Sequence, residues 1–352
     1  MMDEQWKQLK IIKDFFQIQE DGQMPEGSKL LLDATELKIF EKGEDMVTVG
    51  NPPDDGMYII LEGEAHVLTG DGLLINELGA GDVVGELALI KDGVRKATVR
   101  AVTPAVCANI ARNLFLEIAN ANHKVYGALL ELLYTKTTQM VTERERLRSE
   151  LEIASRIQTG FLPKSFGEFC KMENVKITAR MKPAKEVGGD FYDIFRIDER
   201  RLCFLVADVS GKGVPAALFM TLAKTHIKNY MMLDMPVAEV VGLVNNRLNE
   251  DNEEELFVTV FVCVLDTDTG KLTFVNGGHN KPFISKEGKP FKQLDCKVDC
   301  AVGIMEDMPY REQSTELMPG DCFCLYTDGV PEAFDINGEM FSDQGTEDAL
   351  NR

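Results

Sequence analysis

The stretch LVADVSGKG, residues 205–213, runs from an apolar strand-like segment through an aspartate into a flexible glycine turn. Two distant stretches have similar acidic junctions, VGGDFYD at residues 187–193 and LYTDGV at residues 325–330. An aspartate at the end of an apolar strand costs desolvation energy unless a partner compensates its charge. The aspartates at these junctions are Asp190, Asp208 and Asp328.

Convergent carboxylates of this kind favour hard divalent cations, because Mg²⁺ and Mn²⁺ prefer oxygen ligands. Two such ions can hold a water as hydroxide and neutralise a phosphoryl group during its transfer. Asp-Gly turns are also common at hairpin ends, so each junction alone fits an ordinary turn. From the residues themselves, a metal site and three ordinary turns are equal alternatives.

The composition excludes several other classes of protein. The 352 residues carry 58 acidic and 38 basic side chains, a formal net charge of −20 that repels nucleic acid and anionic membranes. A hydrophobic content of 44% is typical of globular chains and excludes wholesale disorder. No secretory leader or apolar run long enough to span a bilayer is visible. We therefore expect a cytoplasmic protein with eight reduced cysteines and neither a membrane nor a nucleic-acid partner.

The apolar periodicity and the glycine and proline content of the sequence change along the chain. Residues 36–110 alternate short apolar runs with glycine turns, which indicates strands. Residues 112–161 have one glycine before Gly160 and no proline, which predicts helix. Strands and helices mix from about residue 172 onward. The predicted organisation is an α+β multidomain chain with segments at 1–120, 121–162 (a helical linker) and 163–352.

The helical segment carries a partial heptad repeat, with one apolar seam and one mixed seam. The pattern fits a connecting helix packed on its own domains or a parallel two-stranded coiled coil, and we favour the homodimer. The apolar seam is Leu133, Met140, Leu147 and Ala154, and the mixed seam is Leu130, Thr137, Arg144 and Leu151.

The run GELALI, residues 85–90, precedes Arg95 and has the chemistry of a sugar-phosphate site. Gly85 lets backbone approach a ligand, and a short helix starting near Glu86 would offer N–H groups to an anion. Arg95 suits the phosphate, whereas the acceptor-only Glu86 suits a sugar hydroxyl. An ordinary turn with a Glu–Arg surface pair is the alternative.

Residues 35–112 resemble cyclic nucleotide-binding domains, through the run from 85 to 99 and the glycine-spaced segment from 43 to 63. The resemblance implies an antiparallel β-roll in which Glu86 binds the ribose 2′-hydroxyl and Arg95 binds the cyclic phosphate. The amides of two residues in the same run would complete the cradle. The implied binding residues are Gly85, Glu86, Leu87, Ala88, Arg95, Lys96 and Ala97, with Leu87 and Ala88 supplying the amides.

Lys96 departs from this family, which has a small or hydroxyl residue there that helps to read the purine. The departure leaves cAMP, cGMP, another nucleotide or no nucleotide open, and we favour cAMP as a regulatory ligand. A lid over the base should come from the following helix. Its candidates are Val125, Leu129 and Leu132.

Residues 150–345 resemble SpoIIE-type serine phosphatases of the PP2C-like metal-dependent class. The resemblance rests on GGDFYD, ADVSGKGVPAA, NGGHN and YTDGVPEA, and on an Ile-Gln…Leu-Pro helix end that leads into such domains. It implies an α/β/β/α sandwich holding two Mn²⁺ or Mg²⁺ ions. Asp190 and Asp328 would bind metal, Asp208 would bridge the ions, and the Val209 carbonyl would be a backbone ligand.

Three further expectations follow from this resemblance. His279 lies in a tight glycine turn, so we expect it to be structural and not a general acid. Asp193 is expected to orient Asp190 or a metal-bound water. The family continues to a last strand ending in an Asp-Asp pair, but this chain stops 24 residues after Asp328. We therefore expect a sandwich that lacks its last elements and has weak or no activity.

Together these features predict a cyclic-nucleotide-regulated, metal-dependent protein serine/threonine phosphatase of bacterial signalling. Metal-bound hydroxide would hydrolyse phosphoserine or phosphothreonine on a partner regulator, an anti-anti-sigma-like protein by family analogy. The alternative is a nucleotide-binding module with a catalytically silent phosphatase-like domain. A nucleotide cyclase is disfavoured because its own motifs are missing.

Overall fold

The computed structural model describes residues 5–53, 55–91, 93–164, 166, 175–183 and 186–352. The chain divides into two compact units, Met1–Glu145 and Arg146–Arg352. Among the described residues, no helix is both long and apolar enough to cross a membrane. The bounds of the three predicted segments remain predictions.

Among its described residues, the first unit contains eight strands in two four-stranded antiparallel sheets, ordered β1-β8-β3-β6 and β2-β7-β4-β5. Their inward side chains, such as Tyr58, Ile60 and Val99, form a buried core cluster, as expected for the predicted β-roll. The strands are β1 Glu36–Phe40, β2 Asp45–Val47, β3 Met57–Glu62, β4 Ala65–Leu68, β5 Leu74–Leu78, β6 Val83–Val84, β7 Thr98–Ala101 and β8 Ala105–Ile110.

Helices cover the other face of the β1-β8-β3-β6 sheet, where Met57, Ile59 and Ala108 pack against Phe15 and Phe115. The continuous helix predicted over 112–161 is wrong at one point, because the chain breaks at Asn122–His123. The side chain of Asn122 accepts a hydrogen bond from the Lys124 N–H at 3.2 Å, which begins a new helix. The helices are α1 Lys10–Phe16, α2 Glu26–Asp33, α3 Arg112–Ala121 and α4 Lys124–Gly160.

The second unit is built on a five-stranded antiparallel sheet, ordered β15-β12-β11-β10-β9, and a three-stranded sheet, ordered β14-β13-β16. The strands are β9 Phe191–Arg196, β10 Arg201–Val209, β11 Val258–Asp266, β12 Lys271–Gly277, β13 Phe283–Ser285, β14 Lys292–Gln293, β15 Gln313–Glu316 and β16 Cys322–Cys324. The helices are α5 Val214–Met231, α6 Val237–Asn249 and α7 Ser342–Leu350.

Both faces of the five-stranded sheet are covered, because its side chains alternate along each strand. Leu205 and Val260 pack with Met220 of α5 and Val244 of α6 on one face. Phe204, Phe261 and Phe274 pack on the opposite face, where the ring of Phe323 from the smaller sheet lies 6.2 Å from those of Phe204 and Phe261. This layering confirms the predicted PP2C-like sandwich, and the register of β10 then decides which way its aspartate points.

Candidate functional site

The first candidate site is the turn between β6 and β7. Gly85 adopts a φ of 75°, and a 3₁₀ turn spans Glu86–Leu89 directly after it. A Cβ atom at Gly85 would collide with the Nη1 atom of Arg95, so the arginine packs directly against this backbone. The turn also engages one of the two predicted phosphate-binding amides, because the Ala88 N–H donates to the Gly85 carbonyl at 2.9 Å. Leu87 and Lys96 are exposed, and Ala97 is half-buried.

Arg95 is buried beneath the turn, with 7% of its surface exposed. Its Nη2 atom donates to Asp55 and, at 2.6 Å, to the Gly56 carbonyl. The same aspartate accepts a hydrogen bond from the Tyr58 hydroxyl at 3.0 Å. The Nε atom of Arg95 is buried without a partner in the described part of the chain. A buried guanidinium N–H without an acceptor fits an anion, which would accept its hydrogen bond.

Glu86, the residue after Gly85, is bound to helix α4. Its Oε1 atom accepts a hydrogen bond from Lys136 Nζ at 2.8 Å, and the same ammonium lies 3.3 Å from the Val83 carbonyl.

The predicted base lid is wrong for two of its three candidates, because Val125 and Leu129 are 2% and 1% exposed within the helical core.

The second candidate site lies at one end of the five-stranded sheet. Asp208 is the penultimate residue of β10 and is paired with Thr259 of β11. Its neighbours Ala207 and Val209 face the helices, so the alternation of the strand points Asp208 toward the smaller sheet. Asp190 lies directly before β9, and the two carboxyl groups share a hydrogen bond.

This pair of carboxyl groups has the electrostatics of a cation site. Burial, together with the charges of Asp190 and Asp328, raises the pKa of Asp208 to about 7. Burial and the charge of Asp328 also raise the pKa of Asp190. The Asp190 Oδ1 atom is buried with no hydrogen-bond partner in the described residues, and Oδ2 lies 3.4 Å from the Thr327 hydroxyl. An unpartnered carboxylate oxygen within an acidic cluster fits a divalent cation.

Asp328 does not end a strand as predicted for its junction. Strand β16 stops at Cys324, and Asp328 lies in a turn four residues later. Within the described ranges, no three His, Cys, Asp or Glu side chains are close enough together to enclose a metal ion. Asp328 contributes to the site as a nearby charge, since it raises the pKa values of both Asp190 and Asp208.

Backbone packing holds the two leading aspartates together. A Cβ atom at Gly189 would lie 2.6 Å from the Val209 carbonyl oxygen, so glycine is needed for this close approach. The Val209 carbonyl, which was predicted to be a metal ligand, therefore lies against the backbone of Gly189, the residue before Asp190.

His279 bridges two of the motifs through its buried ring. Nδ1 lies 2.8 Å from the Thr259 hydroxyl and Nε2 lies 3.0 Å from the Tyr326 carbonyl. Burial lowers the pKa of His279 to about 4, so the ring is neutral at pH 7. A neutral ring that donates to a carbonyl and accepts from a hydroxyl connects β11 to the segment before Asp328, which is a structural role.

Asp193 does not orient Asp190 as predicted. It shares the helix-facing side of the sheet with Phe191 and Phe195, and its carboxylate pairs with Lys224 of α5. The side chains are 3% and 12% exposed, so this is a buried ion pair that fastens α5 to β9. The strand period places Asp193 on the face opposite Asp208.

Gln158, near the end of α4, is a contact to the acidic site that pattern reasoning did not assign. Its side-chain Nε2 donates to the Gly188 carbonyl at 2.6 Å, and its Oε1 accepts from the Gly188 N–H at 3.3 Å. The Tyr192 hydroxyl donates to the Pro163 carbonyl at 3.0 Å and supports the same helix end. The Ile-Gln…Leu-Pro pattern marked this segment, but the pattern did not give the partner of the glutamine.

Comparison with known families agrees with both halves of the structure. Residues 198–352 match the family described as Stage II sporulation protein E (SpoIIE). Residues 37–122 match the family described as Cyclic nucleotide-binding domain. Both predicted resemblances are thereby confirmed at the level of the domain family.

Individual relatives fall into the same two groups. The chain is 29% identical over 196 residues to Phosphoserine phosphatase RsbU of Bacillus subtilis (strain 168), an alignment covering 55% of this chain and 57% of RsbU. It is 36% identical over 110 residues to the cAMP-dependent protein kinase regulatory subunit of Mucor circinelloides f. lusitanicus, covering 28% and 26% of the two chains. The chain thus spans just over half of one relative and a quarter of the other.

A solved structure supports the fold of the C-terminal half. The SiaA-PP2C domain of Pseudomonas aeruginosa aligns with a TM-score of 0.51 at 24% identity, covering 59% of this chain and 83% of that domain. At this level of identity the likeness concerns architecture alone.

Proposed function

Because the chain joins a cyclic nucleotide-binding domain to a SpoIIE-type PP2C domain, we propose that it is a nucleotide-regulated, metal-dependent protein serine/threonine phosphatase. The observation that carries the catalytic half is the hydrogen-bonded pair of Asp190 and Asp208, with its raised pKa values and one unpartnered oxygen. Similarity to a phosphoserine phosphatase supports the reaction class.

The residues that would hold two Mn²⁺ or Mg²⁺ ions are Asp190, Asp208 and Asp328, with the Val209 carbonyl. Such ions supply water activation and neutralisation of the phosphoryl charge. The protein itself presents Asp190 from the residue before β9 and Asp208 from β10, and the close approach at Gly189 fixes their spacing. The neutral ring of His279 is bonded to Thr259, the strand partner of Asp208. The substrate we propose is phosphoserine or phosphothreonine on a partner regulator, of the anti-anti-sigma kind by family analogy.

The test is phosphate release from a phosphoserine peptide by the full chain with Mn²⁺. Asp208→Ala should reduce turnover by at least 10³-fold, roughly 4 kcal/mol of lost transition-state stabilisation. Asp268→Ala is the matched control, since that aspartate is exposed beyond the opposite end of β11. If wild type and Asp208→Ala release phosphate equally slowly, the catalytic proposal fails. Nucleotide binding by that chain would then support the second candidate, a nucleotide-binding module with a silent scaffold.

We propose cAMP as the regulatory ligand, cradled by the turn from Gly85 to Ala97. The unsatisfied Nε atom of buried Arg95 supports an anion there, and similarity to a cAMP-dependent kinase subunit supports the ligand class. Regulation requires that the nucleotide favour one arrangement of the chain over another. Equal phosphatase rates with and without saturating cAMP and cGMP would contradict this part of the proposal.

We also propose a homodimer through α4. Met140 and Leu147 of the apolar seam are 67% and 52% exposed. In a parallel pair with this register, Glu143 of one helix would lie opposite Arg148 of the other, which is favourable.

All seven described cysteines are unpaired, which supports a reducing compartment such as the cytoplasm.

A further inference from the structure

Glu86, the carboxylate expected to meet the ribose, already has a partner on α4. Its side chain is only 14% exposed, and Lys136 Nζ lies 2.8 Å from its Oε1 atom. A carboxylate this deeply placed needs a compensating charge, because desolvation penalises the ionised form. Within the described residues, the ammonium of Lys136 is the cation that supplies it.

The ion pair leaves Glu86 able to bind a ligand. Lys136 engages Oε1, and Oε2 makes no hydrogen bond within the described segments. An ionised carboxylate accepts through two oxygens with about four lone-pair sites, so a hydroxyl can add without displacing the ammonium. The Val83 carbonyl, 3.3 Å from Nζ, gives the ammonium a second acceptor and limits its movement. The lysine therefore fixes the orientation of the carboxylate from the side of α4.

We propose that Lys136 is a positioning residue for the cyclic nucleotide, holding Glu86 in the orientation that accepts the ribose 2′-hydroxyl. The inference rests on the proposed nucleotide binding and deepens it by naming the contact through which α4 senses the ligand. The two residues are 50 positions apart in the chain, so ribose recognition joins the β-roll to the helix. A ligand without a 2′-hydroxyl occupies the phosphate cradle without using this contact.

Calorimetric titration of the full chain with cAMP and with 2′-deoxy-cAMP tests the inference. Lys136→Met should weaken cAMP binding by roughly ten-fold, the usual worth of one charge-assisted hydrogen bond. It should change 2′-deoxy-cAMP binding by less than about two-fold, because that ligand does not use Glu86. Lys136→Arg keeps a cation and should restore most of the cAMP affinity. Lys124→Met, at the exposed start of the same helix, should leave both affinities unchanged.

The outcomes separate the inference from the function on which it rests. Equal weakening of both ligands by Lys136→Met would show a general structural role and overturn the inference, as would unchanged cAMP binding. If the wild-type chain binds neither cAMP nor cGMP, the proposed nucleotide function is wrong, and the inference about Lys136, which rests on it, is also wrong. Thermal unfolding without ligand checks the variants, and Lys136→Gln repeats the comparison if methionine impairs folding.

Discussion

At the scale of single residues, burial and repulsion among carboxylates together set the electrostatics at the acidic end of the larger sheet. Burial is the largest cause of the raised pKa of Asp208, and the charges of Asp190, Asp328 and Glu332 raise it further. An aspartate in an unfolded chain has a pKa of about 3.9. Between about pH 3.9 and pH 7, Asp208 in the folded chain keeps a proton that it has released in the unfolded chain. The stability that this proton contributes is complete below pH 4 and is lost as the pH rises through 7.

Asp208→Asn should therefore stabilise the metal-free chain at pH 8, while changing little at pH 4. We expect a gain of about 1 kcal/mol, since solvent screens a partly exposed group. Thermal unfolding between pH 4 and 8 measures it, and Mn²⁺ should raise the unfolding temperature of wild type at pH 8 but not that of the variant. Asp268→Asn is the control. A variant with the pH dependence of wild type would show that Asp208 ionises freely without metal.

Gly189 makes a second prediction at this scale. A Cβ atom there would lie 2.6 Å from the Val209 oxygen, whereas one at Gly188 would meet nothing within 4 Å. Gly189→Ala should separate β9 from β10 near both aspartates and lower Mn²⁺ affinity at least ten-fold, because ligand spacing governs coordination. Gly188→Ala is the adjacent control and should lose less than three-fold. Metal titration by calorimetry compares them, and equal losses would contradict the proposed role of close packing.

At the scale of elements, the end of α4 is attached to the segment that carries the first aspartate. Gln158 is 6% exposed and bonds both backbone groups of Gly188, two residues before Asp190. The Gln158 amide thus takes the part that a neighbouring strand would play in bonding the backbone of Gly188. A displacement of the helix end would therefore move Gly188, and with it the segment that carries Asp190, through two hydrogen bonds. Leu162, buried in the helix-facing core, anchors the same end.

Gln158→Met should lower phosphatase kcat about ten-fold or more and weaken Mn²⁺ binding, because two buried backbone groups lose their partner. Gln158→Glu should do the same, since a carboxylate cannot donate to the Gly188 carbonyl. Tyr192→Phe removes the Pro163 contact at the same helix end and should lower stability without changing metal affinity. Gln139→Leu, on the exposed part of α4, is the matched control. Parallel loss of metal affinity in Tyr192→Phe would indicate mere anchoring.

At the scale of the whole molecule, α4 is one helix of 37 residues that contributes to both compact units. Exposed apolar residues at heptad spacing on so long a helix favour association with a second copy. The helix thus bears the Lys136 contact, the proposed dimer seam and the Gln158 contact in sequence order.

Met140→Lys with Leu147→Lys should convert a dimer into a monomer at micromolar concentration, since charges at the apolar seam cannot be compensated there. Thr138→Lys, outside both seams, should leave the dimer intact. Sedimentation velocity distinguishes the two forms. A wild-type chain that sediments as a monomer would refute the proposed association.

Local patterns were sufficient to predict the secondary-structure types along the chain, and the motif resemblances then implied the architecture. Alternating apolar runs with glycine turns indicated strands, and the types and spacing of Gly85, Glu86 and Arg95 fitted a ligand turn, because strand period and turn chemistry are local properties. The acidic junctions gave the candidate aspartates for the same reason. The resemblance to cyclic nucleotide-binding domains then implied the β-roll. Which face each acid occupies depended on register, and this is why Asp193 was misassigned while Asp208 points toward the smaller sheet.

The sequence by itself determined two domain types, their order and the residues able to do the chemistry. Only the tertiary structure decided which of those residues meet. Lys136 reaches Glu86 across 50 positions and Gln158 reaches Gly188 across 30. Such contacts leave no periodic or local signal, because they arise when packed elements bring separate segments within hydrogen-bond distance.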